Sequence, residues 1–164
     1  MEIYGYKCVN KDKTNRYGIT YELNKTYTIK DPNKNISFGN NGYGFHFCLN
    51  LEDTLRYFDA INNEVIIYLV KGFGDIIEYE DEYNGFYNMY VSSNMEFIKE
   101  LTREEIINYA LTLNSERIKR FISLFKLNDS EINLIKNKYN SLIINQYIEY
   151  YQYNNKEAFN TKSL

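Results

Sequence analysis

An α+β fold is predicted by two observations. The two halves of the chain keep different hydrophobic rhythms, and each half carries the punctuation that suits its rhythm. Up to about residue 98 the apolar runs are short, aromatic and β-branched, and Gly and Asn separate them. From residue 99 the apolar residues recur at spacings of three and four behind Thr and Asn caps. The expected architecture is a small, mostly antiparallel sheet with one packed helix over residues 1–98. A three-helix segment follows over 99–153, then a flexible tail over 154–164.

The first half opens with IYGYKCV (3–9), an aromatic and β-branched run, and NKDKTNRYG (10–18) is a polar loop ending in Gly. ITYEL (19–23) alternates with period two and predicts a half-buried strand, with NKTYTI (24–29) pairing back onto it. DPNKN (31–35) holds the only proline and predicts a turn, and GYGFHFC (42–48) predicts a strand entered through glycines. Asn50 is placed to cap the next helix, with Asp53 near its positive end and Leu51, Leu55 and Phe58 on one apolar stripe. EVIIYLVKGFG (64–74) is the most apolar run. It predicts a central strand buried on both faces and closed by Gly72 and Gly74. DIIEYEDEY (75–83) starts apolar and turns acidic, FYNMYVSS (86–93) predicts a strand, and MEFIKEL (95–101) continues the β part.

In the second half, Thr102 and Glu105 fit a capping box ahead of Ile106, Ile107, Ala110 and Leu111. Asn114 caps a helix with Ile118, Phe121, Ile122 and Phe125 on one face. Asn128 and Glu131 fit a second capping box, before one long helix striped by Ile132, Ile135, Tyr139, Leu142, Ile143, Gln146, Tyr147 and Tyr150. That stripe suits either an intrachain core or a homodimer.

At 164 residues and 44% hydrophobic, the chain is long enough to bury a core. Its 18 tyrosines sit beside many Asn, Ile and Lys, a composition that an AT-rich genome produces. Tyr also suits half-buried positions and binding surfaces. The net charge of −3 argues against general attraction to nucleic acid. The charge is uneven: residues 1–98 hold 9 Lys/Arg against 14 Asp/Glu, and residues 99–164 hold 10 against 8. Two cysteines make no disulfide framework, the N-terminus shows no secretory pattern, and no apolar run is long enough for a membrane span. A cytoplasmic, reducing setting with both thiols free is expected.

Four groups of residues bear on chemistry. His46, the only histidine, shares a strand face with Cys48, and Cys8 on a neighbouring strand would bring three soft ligands together. A Cys–His nucleophile pair is the other chemical reading. The structural one, a core thiol beside a core histidine, is preferred, and no metal site is expected. Asp75, Glu78, Glu80, Asp81, Glu82 and Tyr83 form an acidic run suited to solvent or to a basic partner. Gly42/Gly44 and Gly72/Gly74 are bare GxG pairs, short of a nucleotide fingerprint. Arg117, Lys119, Arg120 and Lys126 form a basic cluster beside aromatics; a nucleic-acid-binding helix is one reading, and the solvated face of an amphipathic helix is preferred.

Two resemblances add to this. Gly5-Tyr6-Lys7 with Val9 and Asn10, then Tyr21 to Tyr27, Gly44 to Cys48, a helix bearing Tyr57, and Gly72 to Asp75 resemble a small domain of unknown function found in phage, giant-virus and bacterial proteins. The resemblance spans residues 3–101, and it makes the GFHFC segment a family signature. The same order of strand, glycine pair and tyrosine-bearing helix is fainter in its likeness to the ADP-ribosyltransferase fold of the poly(ADP-ribose) polymerase type. That likeness implies NAD as cofactor and a site drawn from Tyr6, His46, Tyr57 and Glu96. The chain departs from it with Tyr4-Gly5-Tyr6 in place of the His-Gly strand, and with Met89 near the position of the catalytic Glu.

The expected function is therefore non-enzymatic: an interaction protein of a phage or mobile element that binds a host protein. An inhibitor of host defence such as an anti-CRISPR protein, directed at a nucleic-acid-binding defence complex, is one concrete form. The acidic run, tyrosine anchors and the last helix would supply contacts. The alternative is a degenerate NAD-using transferase.

Overall fold

The computed structural model describes residues 1–15, 17–39, 42–81 and 86–154, with the backbone alone at 80, 81, 86–88 and 154. The chain divides into two compact units, one made of residues 1–58 and 65–101 and the other of 59–64 and the residues from 102 on. The division falls later than the expected 98/99 boundary because the last strand runs to Glu100, and the Leu101 amide still donates to the Ile67 carbonyl at 2.9 Å. Most of the predicted tail, residues 155–164, lies outside the described residues.

The first unit holds β1 (Glu2–Asn10), β2 (Thr26–Thr28), β3 (Phe45–Cys48), the single-turn α1 (Leu51–Thr54), β4 (Val65–Asp81) and β5 (Phe86–Glu100). Every strand pairing is antiparallel, in the order β2-β5-β3-β1-β4, and β4 also pairs with β5. The ladder thus closes on itself. β1 lies along β4 from Glu2↔Phe73 to Asn10↔Val65, whereas β1 meets β3 through the one pairing Tyr6↔Cys48.

Alternation sends one set of side chains inward. Val9, Tyr21, Phe47, Tyr68, Val70, Met95 and Phe97 form the core of this unit. Tyr21 stacks on Phe97 at 4.4 Å between ring centroids, and Tyr68 meets the same ring edge-on at 5.2 Å. Burying such rings stabilises the unit by about 1.5–3 kcal/mol each. Two glycines make room for Phe47. A Cβ at Gly5 would come within 2.8 Å of the Phe47 ring and 2.6 Å of the Cys48 carbonyl oxygen, and one at Gly72 would meet the same ring.

Three strand expectations change. ITYEL is not a strand: of its apolar residues only Tyr21 is buried, Ile19 and Leu23 are exposed, and an isolated bridge joins Thr20 to Thr14. The Asn15 side chain accepts from the amides of Tyr17 and Ile19 at 2.9 Å each, which holds this segment in a turn. Residues 26–28 pair with β5 at Asn94 to Glu96 rather than with 19–23. β4 does not end at its glycines. Gly74 adopts φ +83° and carries the strand through a bulge between Phe73 and Ile76 and on to Asp81. The predicted helix after Asn50 is one α turn followed by a 3₁₀ turn, Leu55–Tyr57, and the Asn50 side chain makes no cap.

The second unit holds α2 (Arg103–Ala110), α3 (Ser115–Leu124), α4 (Asp129–Tyr139) and α5 (Leu142–Ile148), which runs into a π-helical stretch, Glu149–Asn154. The Thr102/Glu105 and Asn128/Glu131 capping boxes form as expected, and Asn114 caps α3. Ile118, Phe121, Ile122 and Phe125 are buried, as their spacing predicts. Arg103 donates twice to Glu131, at 2.8 Å each, which ties the start of α2 to the start of α4. The π turn brings Gln152 inward. Its Nε2 donates to the Ile122 and Phe125 carbonyls at 2.8 Å, and its Oε1 accepts from the Leu127 amide at 2.9 Å. These bonds satisfy carbonyls that the end of α3 leaves open.

The single long helix expected after Asn128 is two helices. Asn140 takes a left-handed conformation at φ 43°, and Ser141 caps the new helix by accepting from the Ile144 amide. The break rotates the stripe. Ile144, Ile148 and Gln152 are buried, while Leu142, Ile143 and Tyr150 are exposed.

Candidate functional site

The FHFC part of the GFHFC segment forms β3, between β1 and β5. Gly44, at φ +116°, turns the chain into the strand close against Val91. Residues paired directly across strands share a face. Cys48 pairs with Tyr6 and with Met89, Met89 pairs with Tyr79, and His46 pairs with Val91. Tyr6, His46, Cys48, Tyr79 and Met89 therefore stand on one face, opposite to the Phe45, Phe47 and Tyr90 face that packs on the core.

That face is partly covered by packing, with Tyr79 left exposed at its edge. Phe38 meets the His46 ring edge-on at 6.0 Å and the Tyr79 ring at 5.0 Å. His46 Nε2 is shut off from solvent, and the His46 carbonyl accepts from Lys7 Nζ at 2.6 Å. The Tyr57 hydroxyl donates to Met89 Sδ at 3.0 Å. Leu51, Glu52 and Asp53 of α1, Leu55 just after it, and Cys8 and Cys48 of the sheet are all buried. Burial raises the Tyr6 phenol above its ordinary pKa, and the charge of Glu52 raises it further, so Tyr6 stays protonated. Burial also pushes the Cys8 thiol far above the usual thiol range. Among the described residues no three His, Cys, Asp or Glu side chains gather as a metal-binding set.

Of the four residues that the transferase likeness would use, Tyr6, His46 and Tyr57 gather on or against this face, but Glu96 does not. Glu96 lies seven residues along β5 from Met89, on the order of 20 Å away. It pairs with Lys71 and Thr26, and its carboxylate contacts Lys71 Nζ at 3.1 Å. That hydrogen bond holds the Lys71 ammonium above its ordinary pKa, with a weaker contribution from Glu2. Sequence reasoning missed Phe38 and Glu52 as parts of this neighbourhood, and it placed Met89 here only through the transferase likeness. No local signal marks them, because register and chain closure bring them in.

The acidic run occupies the far end of the β4–β5 hairpin. Asp75, Glu78 and Tyr79 are exposed. Glu80 and Asp81 complete β4, and Glu82 and Tyr83 lie outside the described residues. A polar cluster pins the bulge below. Ser93 Oγ accepts from the Asp75 amide at 2.9 Å, the Asn94 side chain donates to the Phe73 carbonyl at 3.4 Å, and Thr28 donates to Asn94 Oδ1 at 2.8 Å. The hairpin arm is thus aimed by a fixed kink.

Phe47 fills the slot formed by Gly5 and Gly72, and this interlock ties the GYK, GFHFC and GxGD segments into one packing unit. A family model described as a domain of unknown function, DUF7666, matches residues 3–109. The chain belongs to the DUF7666 family. No curated protein and no solved structure matches it. The DUF7666 match covers the whole first unit beyond Glu2 and α2 as far as Tyr109, and so extends past the 3–101 resemblance.

Several tyrosines here act as clips. The Tyr27 hydroxyl accepts from the Glu22 amide at 2.9 Å and that of Tyr43 from the Asp31 amide at 2.6 Å. In the second unit Tyr139 donates to the Ala110 carbonyl at 3.0 Å. The basic cluster is likewise engaged inside that unit. Arg117 donates to the Tyr109 hydroxyl at 2.7 Å, and Lys119 contacts Glu116 at 2.9 Å while lying over the Tyr147 ring. Among the described residues no helix is long and apolar enough to cross a membrane.

Proposed function

We propose that this DUF7666 protein is a non-enzymatic interaction protein of a phage or mobile element, and that it works by binding a host protein. One observation carries the reading. The acids of the hairpin arm, Asp75 and Glu78, stand exposed on a strand whose kink is pinned by hydrogen bonds, whereas both cysteines are buried and His46 packs against Phe38. Exposed carboxylates on one strand favour a basic partner and repel an acidic one. A protein that inhibits a nucleic-acid-binding defence complex meets such a partner, because that complex presents a basic surface.

The test is a pull-down from lysate of the host cell with the wild-type chain and an Asp75→Lys/Glu78→Lys variant. A host protein retained by the wild type, released by salt and lost by the variant supports the reading. Retention of no protein counts against it. NAD titration tests the transferase alternative on the same sample. Binding of NAD with a turnover that His46→Gln abolishes, in a variant that still folds, would replace this reading.

A further inference from the structure

The hairpin arm has an open edge. β1 runs beside β4 only as far as the Glu2↔Phe73 pairing. From Ile76 to Asp81, β4 pairs with β5 on one side. On the other side it has no strand among the described residues. β5 differs over the same stretch, since its residues Met89 to Ser92 are held between β3 and β4. The outward amides and carbonyls of β4 past the Gly74 bulge thus continue the line that β1 vacates.

An exposed strand edge is a template for another strand. Main-chain hydrogen bonds supply the affinity, and alternate side chains supply the choice of partner. Here the choice is written in charge. Asp75 and Glu78 are exposed beside Ile76 and Ile77, which are half-buried, and the strand ends in Glu80 and Asp81. Two copies of this edge set side by side would place carboxylate against carboxylate, which disfavours self-pairing. A strand with cations at alternate positions meets the opposite case. Its cations meet Glu78 on one face of the strand, while its apolar residues extend the Ile77 and Tyr79 surface on the other.

We propose that the β4 edge from Asp75 to Asp81 takes an added strand from a partner protein, an extended segment carrying Lys or Arg at alternate positions. This rests on the interaction reading above and names how the partner is held. The segment lies in line with β1, next to β4, and closes the edge that β1 leaves.

A seven-residue peptide of alternating Lys and Val, with blocked ends, is the probe, and the full chain labelled for NMR is the receptor. The expected result is that the peptide shifts the amides of residues 75–78 and slows their hydrogen exchange. N-methylation of one alternate set of peptide amides abolishes binding, and methylation of the other set leaves it. Glu78→Lys weakens binding by about 5-fold or more, and Glu78→Gln weakens it less. A peptide of alternating Glu and Val does not bind. The proposal is overturned if the Lys–Val peptide leaves the 75–78 amides unmoved at millimolar concentration. It is also overturned if both methylated forms bind alike, since charge alone would then account for the contact. A host protein captured by the chain but not displaced by the peptide would overturn strand addition while leaving the interaction reading standing.

Discussion

The Phe47 ring lies where a methyl group on Gly72 would have to go, and a methyl on Gly5 would press it from the neighbouring strand. Gly72→Ala is therefore expected to destabilise the protein by about 2–3 kcal/mol through overpacking. Denaturant unfolding measures the loss. Combined with Phe47→Leu the two losses come out less than additive, because the smaller side chain vacates the contested space. Full additivity would mean that the glycine acts through something other than this ring.

Stability is expected to fall in acid partly through Glu131. Burial alone would raise its pKa, but the Arg103 hydrogen bonds, the Asn128 amide and the Arg103 charge outweigh burial and hold it below the ordinary glutamate value. A depressed folded pKa stabilises the fold above the unfolded value of about 4.3, and that contribution is lost as pH falls through the folded pKa. Glu131→Gln should cost about 1–2 kcal/mol at neutral pH, a range that allows for the half-exposed Arg103. The variant should also show a flatter stability profile below pH about 5. Urea midpoints across that range check both.

The break between α4 and α5 rests on one backbone conformation. Asn140→Gly should leave stability within about 0.5 kcal/mol, since Gly takes the left-handed region freely. Asn140→Ala should cost about 1 kcal/mol. Thermal unfolding of the pair measures the difference. A more stable, more helical Ala variant would mean that α4 and α5 merge without penalty.

Neither thiol should react with an aromatic disulfide reagent while the protein is folded. Cys8 and Cys48 are both buried, and burial disfavours the Cys8 thiolate. Labelling is expected at the rate of global unfolding and no faster. Rapid labelling of Cys48 in the native protein would show that the His46 face opens to reagents.

How much of this was legible depended on the range of each interaction. The Thr102/Glu105 and Asn128/Glu131 boxes and the Asn114 cap need only neighbours three residues away, so the sequence announces them. ITYEL misleads because alternation records a pattern of polarity and not the presence of a partner strand, and its would-be partner, Thr26–Thr28, sits on β5 instead. The helix break at Asn140 had a readable sign, an Asn suited to the left-handed region followed by a capping Ser141, but the spacing of apolar residues ran straight across it. Gly74 reads as a stop and acts as a bulge. On the candidate face, the shared side of His46 and Cys48 follows from strand alternation. Met89, Tyr79 and Phe38 arrive there only through register between distant strands.

The sheet is zipped shut at one point. Where β1 meets β3, the pairing Tyr6↔Cys48 stands alone, against a ladder running the full length of β1 on its other side. Parting this seam breaks fewer backbone pairings than parting any other line of the sheet. β1, β4 and β5 then remain paired as an open ribbon, with β3 still held on β5 along one flank.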